Sequence, residues 1–257
     1  MERRDFLKTT IIAIAGAAVP TAALQFINPK KAFAENPHLR WGFLVDTTKC
    51  VGCGMCVKAC KNENGIPFDV NVTRTWVERY VVTKDDKVHA DSPLGARMGF
   101  TSPLIDRGVE PPEKINPDDI AKAFFVPKLC NQCSNPPCVQ VCPVGASYKT
   151  PDGVVLVDRS WCIGCGYCIM SCPYGARFFH PIYHVADKCT WCYHRISKGL
   201  KTACVGACPF GARQIGNLKD PNDPVTKAIL SERVGILKSE YGTKPNVYYI
   251  GLSKEVS

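Results

Sequence analysis

Sixteen cysteines fall without remainder into four quartets, and that arrangement constrains this 257-residue chain more than any hydrophobic periodicity in it. Cys162, Cys165, Cys168 and Cys172 are spaced C-x2-C-x2-C-x3-C with Pro173 next, the spacing of bacterial iron-sulfur ligands. Three thiolates on a tight glycine-containing loop wrap one Fe-S cube, while the fourth, a helical turn further on, points away to a neighbouring cluster. Cys50, Cys53, Cys56 and Cys60 repeat that spacing. Cys130, Cys133, Cys138 and Cys142, followed by Pro143, lengthen the loop by two residues and fill it with Pro136 and Pro137. Cys189, Cys192, Cys204 and Cys208, followed by Pro209, give C-x2-C-x11-C-x3-C. Disulfide frameworks and structural zinc are the competing uses of clustered cysteines, and disulfide frameworks show no such regularity. Covalent haem requires Cys-x-x-Cys-His, which Cys189-Thr-Trp-Cys192-Tyr-His194 misses by one residue.

Composition fits a loop-rich globular body. Hydrophobic and charged fractions of 46% and 21% are ordinary, whereas 9% aromatic residues with 20 glycines and 20 prolines leave a core that is partly inorganic. Metal clusters can staple such a thin core. The formal charge of +9 would by itself suggest nucleic acid or anionic lipid. A cubane with four thiolates, however, carries about −2 when oxidised. Without residues 1–34, which hold five bases and two acids, the polypeptide stands at +6, and four clusters take it to roughly −2. The basic residues therefore read as counter-charge for clusters, and nucleic acid is not an expected partner.

Residues 1–34 read as a transport signal. Glu2-Arg3-Arg4-Asp5-Phe6-Leu7-Lys8 has the twin-arginine pattern, with Glu2 where Ser or Thr is usual. Residues 11–24 are weakly apolar, interrupted by Gly16 and Pro20, and short for a membrane span; Ala32-Phe33-Ala34 fits a cleavage site. The segment is either cleaved there or kept as an anchor. Clusters are built by cytoplasmic machinery, so a loaded chain must cross the membrane folded, which the twin-arginine route permits. The expected location is the periplasm.

An apolar run closed by aspartate precedes the first quartet (Trp41-Gly-Phe-Leu-Val-Asp46) and another the third (Val154-Val155-Leu156-Val157-Asp158). Strand, turn, cysteine loop and helix thus occur at least twice, an internal duplication. Residues 61–129 form a long excursion with a hairpin, one strand over 75–82 and its turn at 84–87. Ser92 to Pro117 is Pro- and Gly-rich, either an ordered loop laid on the core or a partner, or a mobile one. In the tail from Arg213, Asp220-Pro221-Asn222-Asp223-Pro224 caps a helix over 225–232, and residues 243–250 form a strand.

At the quartets the chain closely resembles the four-cluster iron-sulfur subunits of the dimethylsulfoxide-reductase and polysulfide-reductase type, including exported ones associated with nitrite- and sulfite-reductase systems. CNQCSNPPCVQVCP, DGVVLVDRSWCIGCGYCIMSCPYGARF, KCTWCYHR and YGTKPNVYYIG carry the resemblance, which covers nearly all of residues 40–250. It implies an α+β chain of two nested, pseudo-symmetric bacterial-ferredoxin-like dicluster domains with a long insertion and a C-terminal strap. Residues 35–125 plus 186–257 would form the first half, with the insertion 61–129 and the tail, and residues 126–185 the second. Cys50, Cys53, Cys56 and Cys208 would hold cluster a, and Cys189, Cys192, Cys204 and Cys60 cluster b. Cys130, Cys133, Cys138 and Cys172 would hold cluster c, and Cys162, Cys165, Cys168 and Cys142 cluster d. All sixteen ligands are present, so four 4Fe-4S clusters are expected.

Such a chain is a wire, moving one electron at a time while the protein sets each potential through hydrogen bonds, burial and charge. Gly52, Gly54, Gly164 and Gly166 either let backbone N–H groups approach the clusters or simply form turns. Lys58, Lys61, Arg177 and Lys188 either raise the potentials of nearby clusters electrostatically or are solvated charges, the second being the simpler reading of each. Trp161, Trp191 and Tyr167 read as water-excluding packing, and His180 and His184, separated by Pro181, as packing or hydrogen-bonding residues. No dinucleotide fingerprint, phosphate loop or nucleophile-base pair stands out, so no catalytic residue and no small-molecule substrate are expected. The resemblance implies a respiratory complex with a polytopic, quinone-interacting membrane subunit and a periplasmic multihaem cytochrome c or molybdopterin subunit, through which the chain is membrane-associated. The alternative is a freely diffusing periplasmic polyferredoxin carrier.

Overall fold

The computed structural model describes residues 38–100 and 115–256. The twin-arginine segment, the cleavage site and part of the Pro- and Gly-rich loop lie outside the described residues. The strands are β1 (Trp41–Asp46), β2 (Thr75–Thr83), β3 (Val88–Asp91), β4 (Ile120–Leu129), β5 (Ser147–Lys149), β6 (Val155–Val157), β7 (Arg177–Phe179), β8 (Ala186–Lys188), β9 (Arg213–Asn217), β10 (Val234–Gly235) and β11 (Val247–Ile250). The helices are α1 (Met55–Glu63), α2 (Pro137–Gln140), α3 (Tyr167–Met170), α4 (Tyr193–Ile196), α5 (Ala203–Gly206) and α6 (Pro224–Ser231). None of the described helices is long and apolar enough to cross a membrane.

β1 is buried from Gly42 to Asp46, and burial on both faces accounts for an apolar run without alternation. It lies inside a sheet of order β10-β11-β1-β9, parallel to β11 with Phe43 opposite Val247, and antiparallel to β9 with Val45 opposite Arg213. β6 pairs with β5 in the same sense, Val157 opposite Ser147. The aspartates closing β1 and β6 also act alike. The Asp46 amide donates to Ala212 O at 2.9 Å and the Asp158 amide to Ala146 O at 2.8 Å. Each carboxylate then accepts the amide two residues on, Thr48 at 3.1 Å and Ser160 at 2.9 Å, turning the chain toward its cysteine loop. β7 and β8 form a further hairpin between the third and fourth quartets.

The excursion contains the expected hairpin, β2 against β3, with residues 84–87 between them. β2's longer partner, however, is β4, a strand that the sequence pattern does not announce. Pro127 hides it, because proline argues against a strand interior; β4 lies at the edge of the order β3-β2-β4, where a missing N–H is tolerated. The described start of the Pro- and Gly-rich loop is laid on the core: Ala96 is fully buried, and Arg97 Nη1 donates to Val70 O at 2.8 Å.

In the tail, Asp223 caps α6 by accepting the Val225 amide at 2.8 Å, with Pro224 at the first helical position. Before entering β11 the chain hydrogen-bonds along the second cysteine loop. Ser134 N donates to Lys244 O at 2.8 Å, Asn135 N to Thr243 O at 3.0 Å, and Asn246 N to Asn131 O at 2.9 Å. The core these segments share is small and centred on Phe43, Val45, Val57, Leu129, Trp191 and Tyr249, with cysteines packed among them.

Candidate iron-sulfur sites

One backbone device recurs in all four cysteine loops. The residue before the second cysteine is left-handed each time: Gly52 (φ 69°), Gln132 (φ 45°), Gly164 (φ 71°) and Trp191 (φ 51°). Glycine meets that need without cost, whereas other residues lose about 1–2 kcal/mol there. The two exceptions are held by what their side chains touch. Gln132 is fully buried; its Nε2 donates to Cys189 O at 2.7 Å, and its Oε1 accepts the Val155 amide at 2.7 Å. It therefore ties the second loop to the fourth and to β6. Trp191 is 1% exposed and packs 5.8 Å from the Phe43 ring. Nothing in local sequence marks these two positions except their alignment with Gly52 and Gly164.

Gly54 and Gly166, also left-handed, start α1 and α3. At Gly54 the space is closed as well, since a Cβ would lie 2.1 Å from Ala96 O. Gly54→Ala is expected to destabilise the chain by about 2 kcal/mol or more, from the backbone conformation and the displaced 96–99 segment together. A lowered thermal midpoint with reduced iron content checks this. Gly166 has no backbone closer than the Phe179 ring at 3.2 Å, so Gly166→Ala should cost less.

None of the sixteen cysteines is in a disulfide. Cys50, Cys53, Cys56 and Cys208 line one cavity with Arg213, and Cys130, Cys133, Cys138 and Cys172 line another with Arg177. The non-atom space in them, open mouths included, is about 330 and 350 Å³ respectively. Burial, and then the thiols of Cys189, Cys204 and Cys192, push the Cys60 thiol well above its usual range, so Cys60 of α1 sits among fourth-quartet cysteines. Cys168 is packed with Cys138, Val155 and Ala186, and Cys162 lies alongside. The Cys142 thiol, opposed by burial, is held low by the amides of Ser147, Val144, Ala146 and Gly145, and Ser147 N reaches its sulfur at 3.4 Å. Among the described residues no three His, Cys, Asp or Glu side chains converge on a single-ion site.

This donor set fits 4Fe-4S clusters. Burial pushes the thiols of Cys56 to about 11 and of Cys133 and Cys189 to about 12, so iron must displace protons to bind. Cations stand among them. Arg177 Nη2 donates to Cys138 Sγ at 3.1 Å and Nη1 to Ser147 Oγ at 2.9 Å. Arg213 is 2% exposed with neither Nη atom hydrogen-bonded. Burial would lower its pKa, but the thiols of Cys56, Cys204 and Cys50 outweigh that and raise it. Lys188 is fully buried, donating to Cys189 O at 2.9 Å, to Gln132 Oε1 at 3.4 Å and to Val155 O. Three acceptors around one nitrogen match an ammonium.

The solvated reading of these charges is corrected accordingly. Lys61, Arg177 and Lys188 are buried, and only Lys58 is exposed. Lys61 Nζ donates to Pro67 O and Val70 O at 2.9 and 2.8 Å; burial, followed by Arg97, lowers its pKa to about 8. Cysteine spacing alone misses Arg213, although a signal exists. Cys172-Pro-Tyr-Gly-Ala-Arg177 and Cys208-Pro-Phe-Gly-Ala-Arg213 are the same phrase, and Cys142-Pro-Val-Gly-Ala-Ser147 is its variant.

The aromatic reading divides. Trp191 is core, but Trp161 and Tyr167 are 67% and 54% exposed and exclude no water within this chain. Ile163 and Met170, exposed on either side of the exposed Cys165 in the chain, and Ile182 and Tyr183, exposed on the segment whose His184 O lies 3.2 Å from where a Gly164 Cβ would stand, join them as an apolar collar to that loop. His180 is fully buried, and its Nδ1 accepts the Ile182 amide at 3.2 Å. His184 is exposed with φ 53°, and no helix joins the two.

Comparison with known proteins agrees with this chemistry. A family model described as a 4Fe-4S dicluster domain matches residues 49–146, and a second of the same description matches residues 121–218. The B subunit of tetrathionate reductase from Salmonella typhimurium is 36% identical over 97% of this chain and 88% of its own length. The B chain of polysulfide reductase from Wolinella succinogenes is 33% identical over 82% of this chain and 94% of its own. The NrfC homolog of Haemophilus influenzae is 32% identical over 96% and 94%. This chain belongs to the family of 4Fe-4S dicluster electron-transfer subunits of reductase complexes, and it carries four 4Fe-4S clusters.

Proposed function

We propose that the chain is the non-catalytic wire of a membrane-associated periplasmic respiratory complex, passing single electrons between a quinone-interacting membrane subunit and a periplasmic redox subunit. When bound, the clusters supply one-electron centres. The ligand sets are those of two nested halves. Cys50, Cys53, Cys56 and Cys208 make site a; Cys189, Cys192, Cys204 and Cys60 site b; Cys130, Cys133, Cys138 and Cys172 site c; and Cys162, Cys165, Cys168 and Cys142 site d. The halves are residues 35–125 plus 186–257 and residues 126–185.

The observation that carries the reading is the continuity of the thiols. Cys56 of site a lies within electrostatic reach of Cys204 of site b, Cys189 of site b within reach of Cys130 of site c, and Cys138 and Cys168 of sites c and d pack together. An order a, b, c, d follows, with a and d as the ends. The collar around Cys165 supports docking of the membrane subunit at d, because exposed apolar patches of this kind cover partner surfaces. Val51, Met55 and Phe210, exposed beside site a, support docking of the periplasmic subunit there. The names of the relatives, tetrathionate and polysulfide reductase among them, support a reductase as the catalytic partner. Twin-arginine export fits residues 1–8.

Native purification from gently solubilised membranes tests this, with co-eluting subunits identified and haem, molybdenum and iron assayed together. Co-elution with a polytopic protein is the expected result; haem c or molybdenum then identifies the other partner. Recovery as a lone soluble protein with about sixteen irons overturns the complex in favour of a diffusing carrier. Met170→Glu, in the collar and 74% exposed, is expected to keep full iron content while releasing the chain from membranes. Unchanged co-sedimentation of that variant would count against docking at site d.

A further inference from the structure

Three buried cations lie along the thiol chain, and none has a carboxylate in salt-bridge reach among the described residues. Arg213 and Arg177 hold equivalent places in the repeated Cys-Pro-x-Gly-Ala-Arg phrase, each opening the strand that leaves its quartet. Arg213 lines the cavity of site a and reaches electrostatically to Cys204 of site b. Arg177 lines the cavity of site c, touches Cys138 and reaches to Cys168 of site d. Lys188 directly precedes Cys189 of site b and binds Gln132 in the loop of site c.

Placement makes these charges expensive without anions nearby. Arg177 and Lys188 stand directly opposite one another across β7 and β8, 4% and 0% exposed, and like charges so placed destabilise a hairpin. Asp187, which precedes Lys188, is engaged by Arg74. Arg213 buries two unpartnered Nη atoms, which ordinarily costs the full desolvation of those donors. With no carboxylate among the described residues to offset them, cysteine-ligated clusters are the negative charge that would serve all three.

We propose that Arg213, Lys188 and Arg177 are potential-setting positioning residues, one fixed cation between each pair of successive sites: a and b, b and c, c and d. This rests on the ligand sets proposed above. In each hop the donor site loses the electron that the acceptor gains, with no proton or other group transferred, so one negative charge passes a fixed positive one. A cation shared by two sites favours the reduced form of both, and it screens the repulsion between an electron on one and an electron on the next. The three together would hold the wire's potentials up and close to one another, where charge-neutral junctions would leave each reduction opposing the next.

The test is a redox titration of the holoprotein followed by electron paramagnetic resonance, with iron content measured in parallel. Arg213→Gln removes the charge and keeps donor groups; Arg213→Lys keeps the charge on a smaller head. In Arg213→Gln the reduced-to-oxidised ratio of the signals of a and b is expected to fall at least tenfold at fixed potential, about 59 mV for a one-electron couple, with c and d unmoved. Arg213→Lys should recover more than half of that shift. Cys56→Ser and Cys204→Ser identify which signals belong to a and b. Should Arg213→Gln lose iron, Arg177→Gln carries the same test at c and d. Full iron with all four potentials unmoved overturns the proposal, as does an equal shift in the Lys and Gln variants. A shift confined to signals other than those lost in the two cysteine variants overturns the ligand sets along with it.

Discussion

Serine at Cys165 is expected to take one cluster out of the chain, or convert it to a three-iron form, and to stop electron transfer through the complex. Iron content should fall from about sixteen to between about twelve and fifteen per chain. Cys165 is the exposed cysteine of its loop, held between the left-handed residues Gly164 and Gly166, so its position is fixed by backbone and the substitution is expected to leave the fold intact. A serine oxygen is a harder and shorter-reaching ligand than thiolate, and iron at that corner is lost first. The ligand sets proposed above sharpen the prediction. Cys142→Ser should affect the same spectroscopic signal as Cys165→Ser, although it lies in another quartet, while Cys172→Ser, ten residues from Cys162 in the same quartet, should affect a different one. Unchanged iron and unchanged transfer in Cys165→Ser would sink the wiring, and pairing within quartets would sink the nesting.

The cysteine spacing carries most of the site because three of each set of four thiols are local: in the first and third quartets they fall within seven residues with glycine at the turn, which leaves few ways to enclose a cube. What the spacing cannot express lies between loops. Gln132 and Trp191 take a glycine conformation without being glycine, and the interactions that allow it are to Cys189 O and Phe43, 57 residues away for Gln132. Burial of Lys188 and Arg213 is likewise invisible, since a lysine or arginine in sequence reads as surface unless the anions that offset its desolvation are known to surround it. β4 is concealed by Pro127, which only an edge position tolerates. Trp161 and Tyr167 read as core because aromatic residues beside ligands usually shield them; their exposure is information about a partner that the chain alone does not contain.

Arg74→Met is expected to be the most destabilising substitution outside the cysteines. Arg74 and Asp187 are buried side chains, 7% and 4% exposed, joined by a fork of bonds: Nη2 to Oδ1 at 2.8 Å and to Oδ2 at 2.9 Å, and Nε to Oδ2 at 3.2 Å. Removing one partner of such a pair leaves an uncompensated buried charge and costs about 3–5 kcal/mol. Arg159, 39% exposed and 3.4 Å from Oδ2, is too solvated to replace it. The loss also reaches site b. Arg74 Nη1 donates to Asn64 Oδ1 at 2.6 Å, and Asn64 Nδ2 donates to Cys60 O at 2.8 Å, so the guanidinium fixes the end of α1 that presents Cys60. For a chain of this size the expected effect is a thermal midpoint lower by about 6–20 °C, with the signal of site b broadened or lost before the others. Adding Asp187→Asn removes the stranded charge, and the double variant should regain about 1–3 kcal/mol relative to additivity. A midpoint within about 2 °C of the parent for Arg74→Met would show that the pair is a surface-like ion pair and that α1 is anchored by its iron ligands alone.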